Sequence, residues 1–196
     1  HYTCEKCGFE RPIPNFRALI EYKEKRKLII LSKDNNFKTE IDIDGSDSYS
    51  IYNMLGAVSC GALMGTVPEE VLRGLENYRP QVGRMEKFYI QKPIILNLAK
   101  NPVGFNESIK VVSQDANSKT ITIGVNDLPQ DGQDVSWLWD TNFEILLEVD
   151  DTIENYTVFG RRRYDMALRL KYAGVDENKL TVVDTVEDAV NNVVKT

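Results

Sequence analysis

Arg84 is the first residue whose type and position suggest chemistry. It lies in the segment Val82-Gly-Arg-Met-Glu86, where a glycine turn meets charged residues between two differently patterned halves of the chain. A guanidinium that faces a cleft between domains can clamp phosphate groups with two parallel hydrogen bonds. The alternative interpretation is a solvated linker residue, which is the more common role for an arginine at such a junction.

Two cysteines near the start of the sequence have the spacing of metal ligands. Cys4-Glu-Lys-Cys7-Gly suits two thiolates on one tetrahedral zinc ion, although a structural zinc site needs four ligands. His1 is a weak further candidate, so zinc binding depends on ligands beyond this pair. Cys60 lies on an apolar stretch and is predicted to be a core thiol.

A third feature is a pair of tryptophans between two acids. Asp134 and Asp140 flank Val-Ser-Trp-Leu-Trp, and tryptophans such as Trp137 and Trp139 are enriched at the centres of protein interfaces. The same composition fits a packed loop whose acids cap helices, and the residues alone do not decide between the two.

Composition narrows the class of protein. The chain has 196 residues and a net charge of −6, and Arg161–Arg163 is too short a basic cluster to predict nucleic-acid binding. No apolar run is long enough to span a bilayer, and the start of the sequence does not resemble a signal peptide. Three cysteines indicate a reducing cytoplasm. Because the sequence begins without Met, we expect residues upstream of His1.

The hydrophobic pattern predicts two architectures in succession. Alternating residues followed by longer apolar periods predict three strands and then two helices, at 16–22, 27–31, 37–43, 48–64 and 68–77. From Glu86 onward strands alternate with helices, with strands at 93–98, 120–125, 156–159 and 180–183 and helices at 106–113, 161–173 and 185–194. Such alternation predicts an α/β domain with a mostly parallel sheet and right-handed crossovers.

Two segments together resemble the Mur ligase and folylpolyglutamate synthase superfamily. They are Gly-Arg-Met-Glu at the domain junction and Ile51-Tyr-Asn-Met-Leu-Gly-Ala57 on a predicted helix. The resemblance implies that Asn53 contacts adenine and that Arg84 approaches the nucleotide phosphates. A capping or buried polar role is the alternative for Asn53.

The segment Leu96-Asn-Leu-Ala-Lys-Asn-Pro102 resembles the Asp-Tyr-Ala-His-Asn-Pro stretch of those ligases. Asn97 replaces the acid and can still hydrogen-bond a ribose hydroxyl, whereas Lys100 replaces the histidine and adds positive charge near a nucleotide. These departures argue against an ordinary Mur ligase and for a specialised branch.

That branch resembles the MurT family, on the segments 100–106, 126–140 and 163–174. The resemblance implies an ATP- and Mg²⁺-dependent ligase that pairs with a GatD-type glutamine amidotransferase and converts the D-glutamate of lipid II, at the membrane surface, to D-isoglutamine. It implies that an aspartate completes the Cys-His pair of GatD across the interface. We assign this role to Asp134 and keep Asp140 in reserve. A zinc ribbon with four cysteine ligands is usual in this family. Residues Cys4 and Cys7 would be the second pair of those ligands.

The predicted domains are residues 1–82, the end of a central ATPase domain with a partial zinc ribbon at 1–14, and residues 83–196, a Mur ligase C-terminal Rossmann-like domain. Two rival functions stay open. One is an ordinary amino-acid ligase of the Mur or folylpolyglutamate synthase type, which needs no GatD. The other is a non-catalytic module that docks and regulates a glutaminase.

The 196-residue chain by itself is expected not to turn over ATP. The phosphate-binding Gly-x-x-Gly-Lys-[Ser/Thr] loop of a central ATPase domain is not in this sequence, and we expect it upstream of His1. A coupled-enzyme assay on the purified chain, with the intact subunit as the positive control, measures this. Sustained ADP release by the chain alone would contradict the prediction.

Overall fold

The computed structural model describes residues 2–22, 25–43, 48–78 and 83–195. The chain divides into two compact units, His1–Arg79 and Pro80–Thr196, and each has its own apolar core. The sequence predicts the domain boundary after residue 82. Residues 79–82 lie outside the described residues.

The first unit contains a three-stranded antiparallel sheet in the order β1-β2-β3. The strands are β1 (Phe16–Tyr22), β2 (Arg26–Ser32) and β3 (Lys38–Asp42), close to the predicted bounds. The turn between β2 and β3 uses Asn35 at φ 58°, a left-handed conformation that asparagine tolerates. Asp34 stabilises this turn by accepting hydrogen bonds from Ser32 and Asn36.

Helices α1 (Ser48–Leu63) and α2 (Pro68–Glu76) complete the first unit. Helix α1 buries Ile51 and Val58 in a cluster with Leu28 and Ile30 of the sheet. The prediction that Cys60 is a core thiol is wrong, because Cys60 is exposed. At 100° per residue, position 60 lies on the side of the helix opposite Ile51 and Val58.

The second unit begins with a hairpin of β4 (Glu86–Ile90) and β5 (Lys92–Leu96). Gln91, at φ 60°, reverses the chain between the two strands. The sequence predicts a buried strand at 93–98 in a parallel sheet, and the structure corrects this. Among the described residues β5 pairs only with β4, and its Ile95 is 54% exposed.

A parallel sheet in the order β6-β7-β8 forms the centre of the second unit. Its strands are β6 (Lys119–Gly124), β7 (Ile153–Phe159) and β8 (Leu180–Val182), and its helices are α3 (Pro102–Gln114), α4 (Arg163–Ala173) and α5 (Val186–Lys195). The predicted α/β class with parallel pairing is confirmed. Three further 3-10 helices, at Ser136–Asp140, Phe143–Thr152 and Glu177–Lys179, were not predicted.

The core of this unit lies between the sheet and the segment that joins β6 to β7. Tyr156 and Val158 of β7 are fully buried against Phe143 and Leu146 of the 3-10 helix Phe143–Thr152 and against Leu170 of α4. The Tyr156 hydroxyl donates to Asp150 Oδ1 at 3.1 Å, so the one polar atom of this buried ring has a partner. None of the helices in the described part of the chain is long and apolar enough to cross a membrane.

Replacing Leu170 by alanine is expected to lower the free energy of unfolding by about 3 kcal/mol, because Leu170 is fully buried and its loss leaves a cavity. Leu168, on the same helix and 47% exposed, is the matched control, and its replacement by alanine should cost less than about 0.5 kcal/mol. Urea unfolding followed by tryptophan fluorescence reports on this unit, because Trp137 and Trp139 both lie in it. Equal losses in the two variants would contradict the assigned packing of α4.

Candidate functional site

The domain-junction segment forms a tight turn at the start of the second unit. Gly83 has φ +76°, and a Cβ there would lie 3.3 Å from Leu98 Cβ, so glycine is favoured on both grounds. The Leu98 amide donates to Gly83 O at 2.7 Å, and the Gly83 amide donates to Glu86 Oε2 at 3.0 Å. The turn that carries Arg84 is therefore fastened to the end of the β4–β5 hairpin.

Asn97, which the sequence predicts as a ligand of a ribose hydroxyl, lies beside this turn. Its Oδ1 accepts from the Met85 amide at 3.3 Å, and its Nδ2 donates to Ser108 Oγ of α3 at 2.6 Å. Arg84 and Asn97 are both exposed. Since an amide has two donor hydrogens and two acceptor lone pairs, Asn97 keeps the capacity to bind a ligand hydroxyl.

Lys100 and Asn101 precede α3 and have different tasks. The Lys100 ammonium donates to Gln130 O at 3.3 Å, which links it to the loop before Asp134. Asn101 caps α3 by accepting from the Gly104 amide at 2.9 Å, and the helix begins at Pro102 instead of the predicted Asn106. An Asn-Pro pair is a helix-start signal, and it could have located this boundary.

The chemistry of these side chains fits a nucleotide. Two cationic groups, on Arg84 and Lys100, and one amide, on Asn97, are exposed on the junction turn and on the segment that leads into α3. Cations and helix N-termini both favour the negative charge of phosphate groups. Asn53 belongs to the first unit, where it is exposed on α1.

The two cysteines predicted as metal ligands lie on one exposed turn. Cys4 and Cys7 are exposed free thiols, and the Gly8 amide donates to Cys4 O at 2.8 Å in the turn between them. The hydrogen bond from the Cys7 amide lowers the pKa of the Cys4 thiol, which favours the thiolate that zinc needs. Within the described ranges no three His, Cys, Asp or Glu residues come together as ligands, so these residues alone do not fit a four-ligand zinc site.

Asp134 precedes a 3-10 helix, Ser136–Asp140, that we term the tryptophan turn. Its carboxylate accepts from the Ser136 amide at 2.8 Å, and this bond lowers the pKa of Asp134 below its ordinary value. Asp134 lines an open pocket of about 310 Å³ together with Trp139, Arg162 and Asp165. The reserve candidate, Asp140, is exposed at the other end of the turn and does not line this pocket.

The two tryptophans have different environments. Trp137 packs against the core with its ring 5.7 Å from that of Phe105, whereas Trp139 is 52% exposed and makes an edge contact with Tyr172 at 5.6 Å. The sequence suggested both as interface anchors. The structure leaves only Trp139 for that role and gives Trp137 the packing role.

Helix α4 presents a face that the sequence did not predict. The sequence predicts an amphipathic helix over 161–173 with the apolar residues Met166, Leu168, Leu170 and Tyr172, but Leu168 and Tyr172 are 47% and 71% exposed. Arg169 takes a place on the buried side and is 4% exposed. Sequence reasoning missed Arg169. The only signal was a charged residue three positions after a core methionine, at helical spacing.

The basic cluster before α4 is neutralised within the fold. Each of its arginines forms an ion pair: Arg161 with Asp127 at 2.8 Å, Arg162 with Asp165 at 2.8 Å, and Arg163 with Asp184 at 2.7 Å. The cluster therefore joins the segments that follow β6 and β8 to the start of α4.

Comparison with known proteins gives this geometry a family context. The subunit MurT of the glutamine-hydrolysing lipid II isoglutaminyl synthase of Streptococcus pneumoniae is 30% identical over 195 residues, which are 98% of this chain and 42% of that protein. The chain thus spans about two fifths of the length of this curated relative.

Solved structures share the fold at low identity. MurF from Acinetobacter baumannii superposes with a TM-score of 0.66 at 16% identity, over 92% of this chain and 38% of MurF. Folylpolyglutamate synthase from Mycobacterium tuberculosis, solved in complex with ADP, superposes with a TM-score of 0.56 at 15% identity, over 92% of this chain and 40% of that enzyme. The family model for the MurT ligase C-terminal domain matches residues 98–196, and the chain accordingly belongs to the MurT ligase family.

Proposed function

We propose that the chain is the C-terminal part of an ATP-dependent ligase subunit that acts in the cytoplasm on lipid II at the membrane surface. The reaction converts the α-carboxylate of the stem-peptide D-glutamate to the amide, D-isoglutamine, with ammonia from a GatD-type glutaminase subunit. The observation that carries the proposal is the match of nearly the whole chain to a lipid II isoglutaminyl synthase subunit, together with the MurT family match.

The chemistry needs an activated carboxylate. A carboxylate oxygen attacks the γ-phosphorus of ATP, and the bond between that phosphorus and the oxygen that bridges to the β-phosphate breaks. ADP departs as the leaving group, and the substrate becomes an acyl phosphate. Ammonia then attacks the acyl carbon, and inorganic phosphate leaves as the amide forms with loss of one proton. The first step depends mainly on positioning and on neutralising phosphate charge, to which Mg²⁺ and cationic side chains contribute.

Arg84, Asn97 and Lys100 are the residues of the second unit that we assign to the nucleotide. The hydrogen bond between Asn97 and the Met85 amide supports this, because it fixes the Arg84 turn relative to the start of α3. Arg84 would neutralise phosphate charge, Lys100 would add charge nearby, and Asn97 would bind a ribose hydroxyl. Asn53 of the first unit would contact adenine. A folylpolyglutamate synthase that shares the fold was solved in complex with ADP, which supports a nucleotide as the ligand.

Asp134 is the residue that we assign to the partner subunit. A carboxylate that completes a Cys-His pair must stay ionised and exposed so that it can orient and charge-stabilise the imidazole. Asp134 meets both needs, since it is exposed and the Ser136 amide lowers its pKa. The exposed side chains of Trp139, Leu168 and Tyr172 lie on the same unit and suit an apolar contact with that partner.

Replacing Asp134 by asparagine in the full complex is expected to reduce glutaminase turnover by about 100-fold or more, because the imidazole loses its orienting charge. Complex formation should persist, since the substitution changes one exposed atom. Steady-state glutamine hydrolysis and calorimetric titration of the two subunits measure the two effects. The matched control is Asp140→Asn, which carries the same change at the other end of the tryptophan turn.

The control also decides between the candidates. Loss of turnover in Asp140→Asn with full activity in Asp134→Asn would transfer the triad role to Asp140. Full activity in both variants would contradict the triad assignment. Addition of an amino acid to the substrate in the absence of the glutaminase would favour an ordinary amino-acid ligase of the Mur or folylpolyglutamate synthase type.

The Asp134 carboxyl is expected to titrate below its ordinary pKa of 3.8 in the folded chain. Its contribution to stability is therefore present above the unfolded-state pKa and is lost as the pH falls through the lower folded-state pKa. Carboxyl carbon shifts followed by NMR measure this directly. Ser136→Ala removes the hydroxyl donor and keeps the amide donor, so the pKa should rise only part of the way. A pKa at or above 3.8 in the unsubstituted chain would contradict the assigned hydrogen bonds.

A further inference from the structure

Arg169 is a buried charge in a place where an apolar residue would fit. It is 4% exposed and shares the buried side of α4 with Met166, Leu170 and Ala173. Burial of a guanidinium is unfavourable unless its donors and its charge find partners, and apolar replacements often stabilise a protein. Packing alone therefore does not explain an arginine at this position.

The partners of Arg169 lie around the end of the tryptophan turn. Its Nε donates to Leu138 O at 3.1 Å, and its Nη2 donates to Thr141 O at 2.7 Å and to Glu144 Oε2 at 2.9 Å. Each of the two carbonyls also accepts one backbone amide, Leu138 O from Thr141 at 3.4 Å and Thr141 O from Phe143 at 3.1 Å, and carbonyls at the end of a helix carry partial negative charge that attracts a cation. A five-residue 3-10 helix has few hydrogen bonds of its own, so the guanidinium supplies contacts that hold the turn.

The flat faces of the same guanidinium contact aromatic rings. Its central carbon lies 5.6 Å from the ring centre of Trp139 and 5.3 Å from that of Phe143. The Tyr172 ring contacts Trp139 as well. Trp139, although half exposed, is therefore held in one orientation by a cation beneath it and a ring beside it.

Asp134 is coupled to this arrangement through the first residue of the turn. Its carboxylate accepts from the Ser136 amide, and Leu138, two residues later, is 1% exposed and accepts from Arg169. A change in the orientation of the turn therefore moves the direction in which Asp134 points.

We propose that Arg169 is a positioning residue for the glutaminase reaction: it holds the tryptophan turn so that Asp134 is presented to the partner subunit in a fixed orientation. The proposal rests on the proposed role of Asp134 in the partner's triad. A lysine at this position keeps the charge but cannot form the fork that binds two carbonyls and a carboxylate together.

The test uses the full-length subunit in complex with its glutaminase subunit. Arg169→Lys is expected to lower kcat for glutamine hydrolysis by about 10- to 100-fold, because an error of about 1 Å in a catalytic group costs that much. KM for glutamine should stay within about twofold, since Arg169 is buried beneath the surface. Because Arg169 also holds Trp139, which we assign to the interface, kcat is measured at a saturating concentration of the partner subunit. Arg161→Lys, the same change at an exposed arginine, should leave kcat unchanged.

A double-mutant cycle with Asp134→Asn shows whether Arg169 acts through Asp134. Once the carboxylate is absent its orientation no longer matters, so Arg169→Lys should have little further effect on kcat in the Asp134→Asn background. A residue that only stabilises the fold would instead reduce activity by the same factor in both backgrounds and would lower the melting temperature in parallel. If Arg169→Lys fails to fold, Glu144→Ala replaces it, because Glu144 is a partly exposed anchor of the guanidinium and its loss should give a smaller reduction with the same coupling.

The outcomes distinguish failure of the triad role of Asp134 from failure of the positioning role of Arg169 alone. Full glutaminase activity in Asp134→Asn overturns the triad assignment and, with it, the role of Arg169. Loss of activity in Asp134→Asn with unchanged kcat in Arg169→Lys overturns the positioning role alone. Independent, multiplying losses in the double variant overturn it as well.

Discussion

One buried guanidinium, through an ion pair and hydrogen bonds, organises the segment of the second unit that carries Asp134 and Trp139. The segment between β6 and β7 contains no α-helix or strand, only two 3-10 helices, Ser136–Asp140 and Phe143–Thr152. Such helices make few internal bonds. Arg169 connects both of them to α4 through Leu138 and Thr141 on one side and Glu144 on the other. The orientation of Trp139 and Asp134 depends on this connection.

The residues around Arg169 change from buried to exposed within a short stretch of the chain. Leu138 and Phe143 are almost fully buried, and Trp137 packs beside Phe105, whereas Trp139 projects outward. A second polar link serves the far end of the segment, where Lys179 pairs with Asp150 at 2.6 Å and Asp150 accepts from Tyr156. A long irregular segment is thus held at both ends by charged groups that reach across the fold, which suits a surface that must keep one shape for binding.

The residues that we propose to bind a nucleotide are held in place by a different set of hydrogen bonds. Backbone bonds between Leu98 and Gly83, and the side chain of Asn97, hold the junction turn to the start of α3. Lys100 then reaches the Gln130 carbonyl, in the loop that leads to Asp134. Those residues of the second unit that we assign to ATP, and Asp134, which we assign to the glutaminase, therefore lie on segments joined by hydrogen bonds, which suits a reaction in which ammonia made at one site is used at another.

The sequence by itself determined the elements with strong local signals. Alternation set β1, β2 and β3, β-branched residues set β6 and β7, and motif resemblance identified the family and the residues to examine. Only the tertiary structure decided which of the two tryptophans is more exposed, why Arg169 is buried while Leu168 and Tyr172 are not, and that β5 pairs with β4. The physical reason is the large separation along the sequence between residues that are in contact. The acceptors of Arg169 lie 25 to 31 residues away along the chain, and no local pattern of hydrophobicity encodes contacts at that distance.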